Sequence, residues 1–230
     1  LGASSLLVGE CVVSDENILN TARANLQKSS LAVHAIPGFC TIKKDLAQAI
    51  DIGVDLFRVA SHCTEADTTQ RHIEYVRERG KQAFGVLMMS HMASVDTLVD
   101  EAQKMEAYGA EGIIIMDSAG FYLPSDVSTR INALVESLAV PIGFHAHNNL
   151  GMGIANSVSA LDAGAIMLDG SSRGFGAGAG NAQLEVLVAV LHKLGHETGI
   201  DLYKILDTAD TAESHFVKEL PSISSLSIVS

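Results

Sequence analysis

Short apolar runs rich in β-branched residues alternate along the chain with longer stretches whose apolar positions recur every three to four residues. The runs that predict strands are Leu31–Ala35, Leu56–Ser61, Gln82–Met89, Gly112–Ser118, Pro141–His147 and Ala165–Gly170. Their first residues lie 25, 26, 30, 29 and 24 positions apart, one strand–helix unit per interval. The runs are apolar almost throughout, which suits strands covered on both faces of a parallel sheet. Gly53, Gly80, Gly109, Gly164 and Gly195 each close a helical stretch, where a left-handed C-cap belongs. Thr64-Glu65-Ala66-Asp67 predicts a helix start, with a hydroxyl cap and an acid three residues on. Pro124-Ser125-Asp126 predicts the opening of a helix that ends before Pro141.

With no linker or low-complexity segment, these units predict a single α/β domain over residues 1–230. A doubly wound dinucleotide fold would carry GxGxxG after an early strand and an acid about 20 residues later. Nothing of that kind follows the runs at 31 or 56. The glycine-rich run Gly174–Gly180 comes after the last strand and has a different spacing. The expected architecture is therefore a (β/α)8 TIM barrel. A barrel has eight strands and about 250 residues, so two βα units are expected to lie outside this sequence.

Composition narrows the picture further. Hydrophobic residues make up 47% and charged residues 18%, which argues against disorder. The 15 Lys+Arg against 27 Asp+Glu give a formal charge of −12 with no basic cluster, a poor match to nucleic acid or an anionic membrane. The longest apolar runs, such as Gly112–Met116, fall far short of the roughly 20 residues that span a bilayer. Leu1-Gly2-Ala3-Ser4-Ser5 shows neither a basic n-region nor a cleavage signature. Cys11, Cys40 and Cys63 are odd in number and lack CxxC spacing, so a reduced, cytoplasmic setting is expected.

In a barrel the loops after the strands carry the chemistry. His145 and His147 stand at positions i and i+2 of a strand end, so both imidazoles face the same way. Two such nitrogens need only a carboxylate to make a two-histidine, one-carboxylate metal site. The alternative is a polar loop with two histidines and no ion. His62 and His91 also follow strands, and either could face the site or be a hydrogen-bonded loop residue. His34 could be merely a strand residue. Met88, Met89 and Met92 are expected to fill core gaps, and His72, His192 and His196 to lie at helix surfaces or ends. Gly174–Gly180 could offer backbone N–H groups to an anion or be a tight loop without a ligand.

Several segments together resemble one family. Phe144-His145-Ala146-His147-Asn148-Asn149-Leu150-Gly151, followed by Ala155-Asn156-Ser157, resembles the strand-seven signature of the HMG-CoA-lyase-like metal-dependent barrels. The run from Gly176 to Glu185 is similar to the AGNxxLE segment after strand eight of that superfamily. Within it, Arg58-Val59-Ala60-Ser61-His62-Cys63-Thr64-Glu65-Ala66-Asp67 and Leu87-Met88-Met89-Ser90-His91-Met92 resemble the 4-hydroxy-2-oxovalerate aldolase family. The similarity runs from about Leu31 to the end, and the motifs are specific in combination.

The resemblance implies a class II aldolase that splits 4-hydroxy-2-oxoacids into pyruvate and a short aldehyde, at the end of bacterial meta-cleavage pathways for aromatic compounds. It implies Mn²⁺, or another divalent ion such as Co²⁺ or Mg²⁺, held by His145, His147 and an aspartate. It places Ser118 and His145 against the 2-oxoacid substrate, and implies an acylating acetaldehyde dehydrogenase as partner and an oligomeric assembly. The family's arginine–aspartate pair and nearby histidine on the first strand, and its tyrosine in a C-terminal helical segment, have no counterpart here. No catalytic residue is therefore assigned within these 230 residues, and the sequence taken alone is expected to bind metal weakly and not to turn over. A Claisen-type acyl-CoA enzyme, such as an isopropylmalate or homocitrate synthase, would share the His-x-His and AGNxxLE parts but not the Arg58 and Leu87 segments. A carboxyl-transferring relative would offer a lysine where Asp117-Ser118-Ala119-Gly120 stands. A catalytically incomplete barrel is the remaining alternative.

Overall fold

The computed structural model describes residues 1–2, 11–216 and 220–229. Most of the N-terminal segment read for a secretion signal lies outside the described residues. The strands are β1 (Ala32–Ala35), β2 (Leu56–His62), β3 (Gln82–Met88), β4 (Ile113–Asp117), β5 (Ile142–Ala146) and β6 (Met167–Asp169). The helices are α1 (Asp15–Asn25), α2 (Ala47–Ile52), α3 (Gln70–Glu78), α4 (Val95–Ala107), α5 (Pro124–Ser137), α6 (Gly153–Asp162), α7 (Leu184–Lys193), α8 (Leu202–Phe216) and α9 (Ser225–Val229). All six expected strands are present, and they form one sheet in the order β1-β2-β3-β4-β5-β6. That order follows the chain without reversal, whereas a doubly wound sheet reverses at its switch point. β1 with β2, β2 with β3, and β5 with β6 pair in parallel. The described residues thus contribute six strands of the eight that a complete barrel requires.

The chain divides into two compact units. The first comprises Leu1–Met88, Asp96–Ile114 and Leu138–Val140. Its core gathers Phe57 and Val59 of β2, Val86 and Leu87 of β3, Ile73 and Val76 of α3, and Leu98 and Met105 of α4, each at most 1% exposed. Gly85 lets α4 sit directly on β3, since a Cβ there would fall 2.4 Å from Met105 Sδ. The second unit comprises Met89–Val95, Ile115–Ser137 and Pro141–Ser230. Ile115, Phe144, Val127, Ile131 and Leu134 fill its core with no exposed surface.

The five glycines expected to end helices all adopt positive φ. α5 starts at Pro124 as expected. The helix start at Thr64 differs. Residues Ala66–Thr69 form a 3₁₀ turn before α3, and the Ala66 N–H is capped by the buried Glu101 carboxylate from α4 at 2.8 Å. Thr64 Oγ1 instead pairs with His62 Nδ1 at 2.9 Å. His72 is buried, not at the helix surface, because its Nε2 reaches the Cys40 carbonyl at 2.9 Å. Met92 is 61% exposed and fills no core gap. Among the described residues, no helix is long and apolar enough to cross a membrane.

Candidate metal centre

β5 presents His145 one residue before its end, and His147 follows directly after Ala146. Alternation along the strand turns Ala146 into the core, where it is 1% exposed, and sends both imidazoles to the opposite face. Their ring centroids are 5.3 Å apart. Parallel pairing sets His145 beside Asp169 of β6, and His145 Nδ1 lies 3.0 Å from Asp169 Oδ2. On the other side of the ring, Nε2 lies 3.2 Å from Asn181 Oδ1. The Asn181 amide is oriented by its nitrogen, which donates to the Phe175 carbonyl at 2.7 Å and leaves the oxygen facing the histidine.

This arrangement bears directly on whether a metal fits. Both ring nitrogens of His145 face acceptor oxygens, yet a neutral imidazole has a single N–H to give. A metal ion at the second nitrogen is one way to satisfy both oxygens, and a second ring proton is the other. A carboxylate on one nitrogen is also the usual partner of a metal-ligating histidine, because it fixes the tautomer and aims the other nitrogen at the ion. His147 supplies a second, neutral nitrogen. Burial, and then the neighbouring His145, hold its pKa below the ordinary histidine value, against the opposing effect of the Ala177 carbonyl. Its lone pair is therefore available to an ion at neutral pH without competition from a proton. Among the described residues, no three His, Cys, Asp or Glu side chains group as a metal site, so His145 and His147 stand without a third ligand of that kind.

Ser118 begins the loop after β4. Its Oγ accepts from the Met89 N–H at 2.9 Å, which fixes the oxygen and leaves the hydroxyl proton to donate. The backbone ties this loop to the histidines, since the His147 N–H donates to the Asp117 carbonyl at 3.3 Å. No side-chain contact joins Ser118 to either histidine among the described bonds. Asp117, fully buried, accepts from the Phe121 N–H at 2.9 Å and the Tyr122 N–H at 3.1 Å. Burial raises its pKa, and these two N–H groups oppose the rise. Tyr122 Oη donates to Ser90 Oγ at 2.9 Å, and Ser90 Oγ donates in turn to the Met116 carbonyl at 2.8 Å. Gly120 closes the turn at φ +56°, and a Cβ there would stand 2.5 Å from the Asn149 nitrogen. The loops after β3, β4 and β5 are thus locked together around Ser118.

His34 and His62 belong to the first compact unit and His91 to the second. His91 Nδ1 is buried without a hydrogen-bond partner, and its ring lies 6.0 Å from that of Phe121. His192 ends α7 beside Thr198, and His196 follows it. In the run Gly174–Gly180, the N–H groups of Gly174 and Phe175 donate to the Ser171 and Ser172 carbonyls of the preceding turn, and that of Gly180 donates to the Ala177 carbonyl. Asp169 and Asn181 escaped the sequence reading as site residues. The first is revealed by strand register, and the sequence signal for the second is its place in the AGNxxLE-like segment.

The HMGL-like family model matches residues 12–212. A 4-hydroxy-2-oxovalerate aldolase from Pectobacterium atrosepticum is 66% identical over all 230 residues, which cover 67% of its length. One from Spirochaeta aurantia is 65% identical with the same coverage, and one from Serratia proteamaculans is 53% identical with 69% covered. The chain therefore spans about two thirds of the length of these relatives. Among solved structures, the N-terminal domain of a Bacteroides vulgatus protein superposes with a TM-score of 0.79 at 24% identity, over 93% of this chain and 72% of that one. The carboxyl transferase domain of Rhizobium etli pyruvate carboxylase, with 3-hydroxypyruvate, gives 0.83 at 20% identity, over 94% of this chain and 40% of that one. At these identities the two structures speak for the fold alone. The chain belongs to the HMGL-like family, among its 4-hydroxy-2-oxovalerate aldolases.

Proposed function

We propose that the protein catalyses divalent-metal-dependent retro-aldol cleavage of 4-hydroxy-2-oxovalerate and similar 4-hydroxy-2-oxoacids, giving pyruvate and acetaldehyde or another short aldehyde. His145 and His147 hold the ion, and Ser118 and His145 face the 2-oxoacid. The observation that carries this reading is the His145 ring set between two acceptor oxygens with His147 beside it. When bound, a divalent ion supplies Lewis-acid stabilisation for the negative charge that collects on the keto oxygen as the bond between carbons 3 and 4 breaks.

The chain's own groups do the positioning. Asp169 keeps the His145 ring from turning, and Asn181 limits its swing on the other side. Ser118, held by Met89, directs its proton outward to a substrate oxygen. Mn²⁺ is the ion proposed, with Co²⁺ or Mg²⁺ as substitutes, as the family resemblance implies. EDTA is expected to abolish pyruvate release by the full-length protein and Mn²⁺ to restore it, whereas activity indifferent to chelation contradicts the proposal. Ser118→Ala is expected to raise KM with a moderate fall in kcat, for one neutral hydrogen bond contributes about 0.5–1.5 kcal/mol. A loss in kcat as large as that from removing a histidine ligand would contradict a substrate-orienting role.

An acylating acetaldehyde dehydrogenase is the proposed partner, in an oligomeric complex in the cytoplasm, because a reactive aldehyde benefits from direct transfer. The expected result is co-elution of the two full-length proteins on size exclusion, and separate elution under mild conditions contradicts it.

A further inference from the structure

Arg173 stands in the loop after β6, outside the site itself, and its backbone adopts the left-handed conformation at φ +53° and ψ +20°. A β-carbon makes that conformation unfavourable, so something must hold it. The holder is Glu185 in the first turn of α7, a carboxylate only 2% exposed. The Arg173 backbone N–H lies 3.3 Å and 3.2 Å from its two oxygens, and the guanidinium Nη1 lies 3.6 Å from Oε1. The same guanidinium bridges to α8, where Nη2 pairs with Asp210 and Nε lies 2.8 Å from Glu213 Oε2. Three carboxylates from two helices thus converge on one residue. Its main chain donates to the buried carboxylate, and its side chain brings one planar, delocalised charge beside all three, with Nη2 bonded to Asp210.

From Arg173 the constraint passes to the candidate metal centre through short bonds. The turn Ser171–Phe175 is closed by Gly174 N–H to the Ser171 carbonyl at 3.0 Å and by Ser171 Oγ to the Phe175 carbonyl at 2.6 Å. That Phe175 carbonyl is the acceptor that orients the Asn181 amide, and the Asn181 backbone N–H binds the Gly174 carbonyl at 2.9 Å. Asn181 Oδ1 in turn faces His145 Nε2. We propose that Arg173 is a positioning residue for the metal centre: clamped by Glu185, Asp210 and Glu213, it fixes the Ser171–Phe175 turn and thereby aims Asn181 at His145. This inference rests on the reading of His145 and His147 as metal ligands.

The test uses the full-length protein as wild type and as Arg173→Ala, Arg173→Lys, Glu213→Gln and His147→Ala. Mn²⁺ affinity is measured from the electron paramagnetic resonance signal of the free ion. Amide hydrogen exchange is followed on the metal-free proteins. Arg173→Ala is expected to weaken Mn²⁺ binding about tenfold, at the low end of what partners behind metal ligands contribute. Saturating Mn²⁺ should restore kcat, and the Asn181 and Gly174 amides should exchange faster without metal. Arg173→Lys keeps the charge but cannot span three carboxylates, so it should fall between wild type and Arg173→Ala. Glu213→Gln, on a half-buried position of α8, should shift affinity in the same direction by less. Should Arg173→Ala fail to fold, these two milder variants carry the test. A merely structural role would lower stability while leaving the Mn²⁺ affinity of the folded protein unchanged. Unchanged affinity and exchange in the Arg173 variants, with binding still lost in His147→Ala, overturns the positioning role alone. Mn²⁺ binding indifferent to His147 overturns the metal reading instead, and the Asn181 exchange rate then decides the positioning claim.

Discussion

His147→Ala is expected to lower aldolase activity of the full-length protein by about 10²-fold or more while the fold persists. The magnitude follows from the role proposed for the ring. Groups that only support a metal ligand contribute about 10–100-fold to affinity or activity, so a ligand itself should lie at or beyond the upper end. The fold should survive because the element that places His147 does not depend on its side chain. Its backbone N–H is bonded to the Asp117 carbonyl, and the strand before it is anchored by Phe144, which has no exposed surface. Circular dichroism and the thermal midpoint should be close to wild type. Pyruvate release measured across a range of Mn²⁺ concentrations gives the comparison. Activity within a few fold of wild type at low Mn²⁺ would remove His147 from the metal centre.

Asp117→Ala is expected to be the most damaging change to stability near the site. The carboxylate has no exposed surface and accepts two backbone N–H groups from its own loop. Alanine leaves both donors without their partner, and each buried unsatisfied donor costs about 1–3 kcal/mol, so the loss should reach roughly 2–6 kcal/mol. The same loop carries Ser118 and ends in Tyr122, whose hydroxyl binds Ser90. Activity should therefore fall together with stability. Asp117→Asn is the informative control. It keeps one acceptor, and it removes the burial penalty on charge that raises the pKa of Asp117. It should recover about half of the loss. Urea denaturation of the two variants measures both effects, and an Asp117→Ala midpoint equal to wild type would contradict this account of the loop.

The strands were readable because fully covered strands need nearly continuous apolar runs, and the chain spaces those runs one βα unit apart. Five of the six agree closely, including β2 at Leu56–His62 and β3 at Gln82–Met88. The last begins two residues late, at Met167. The Ala165 N–H still closes the preceding helix onto Ala160, and Ile166 is 70% exposed. Two of the failures share a cause, which is a partner distant in sequence. Local spacing points to Thr64 as the cap, but the cap comes from Glu101, 35 residues from Ala66. His72 was judged by its place on a helix, whereas Cys40 supplies the acceptor that allows its burial. The site divides along the same line. His145 and His147 were legible because their i and i+2 spacing is local. Asp169 needed the β5–β6 register, and Asn181 needed the path of a glycine-rich loop that no periodicity describes.

The most direct test of the account is where a metal binds. Crystals of the full-length protein grown with Mn²⁺, and measured at the manganese absorption edge, locate the ion by its anomalous signal. The account predicts one peak in bonding contact with a ring nitrogen of both His145 and His147, at roughly 2.0–2.3 Å, with Asp169 still on His145 Nδ1. A peak elsewhere, or none beside these two rings at saturating Mn²⁺, would contradict it.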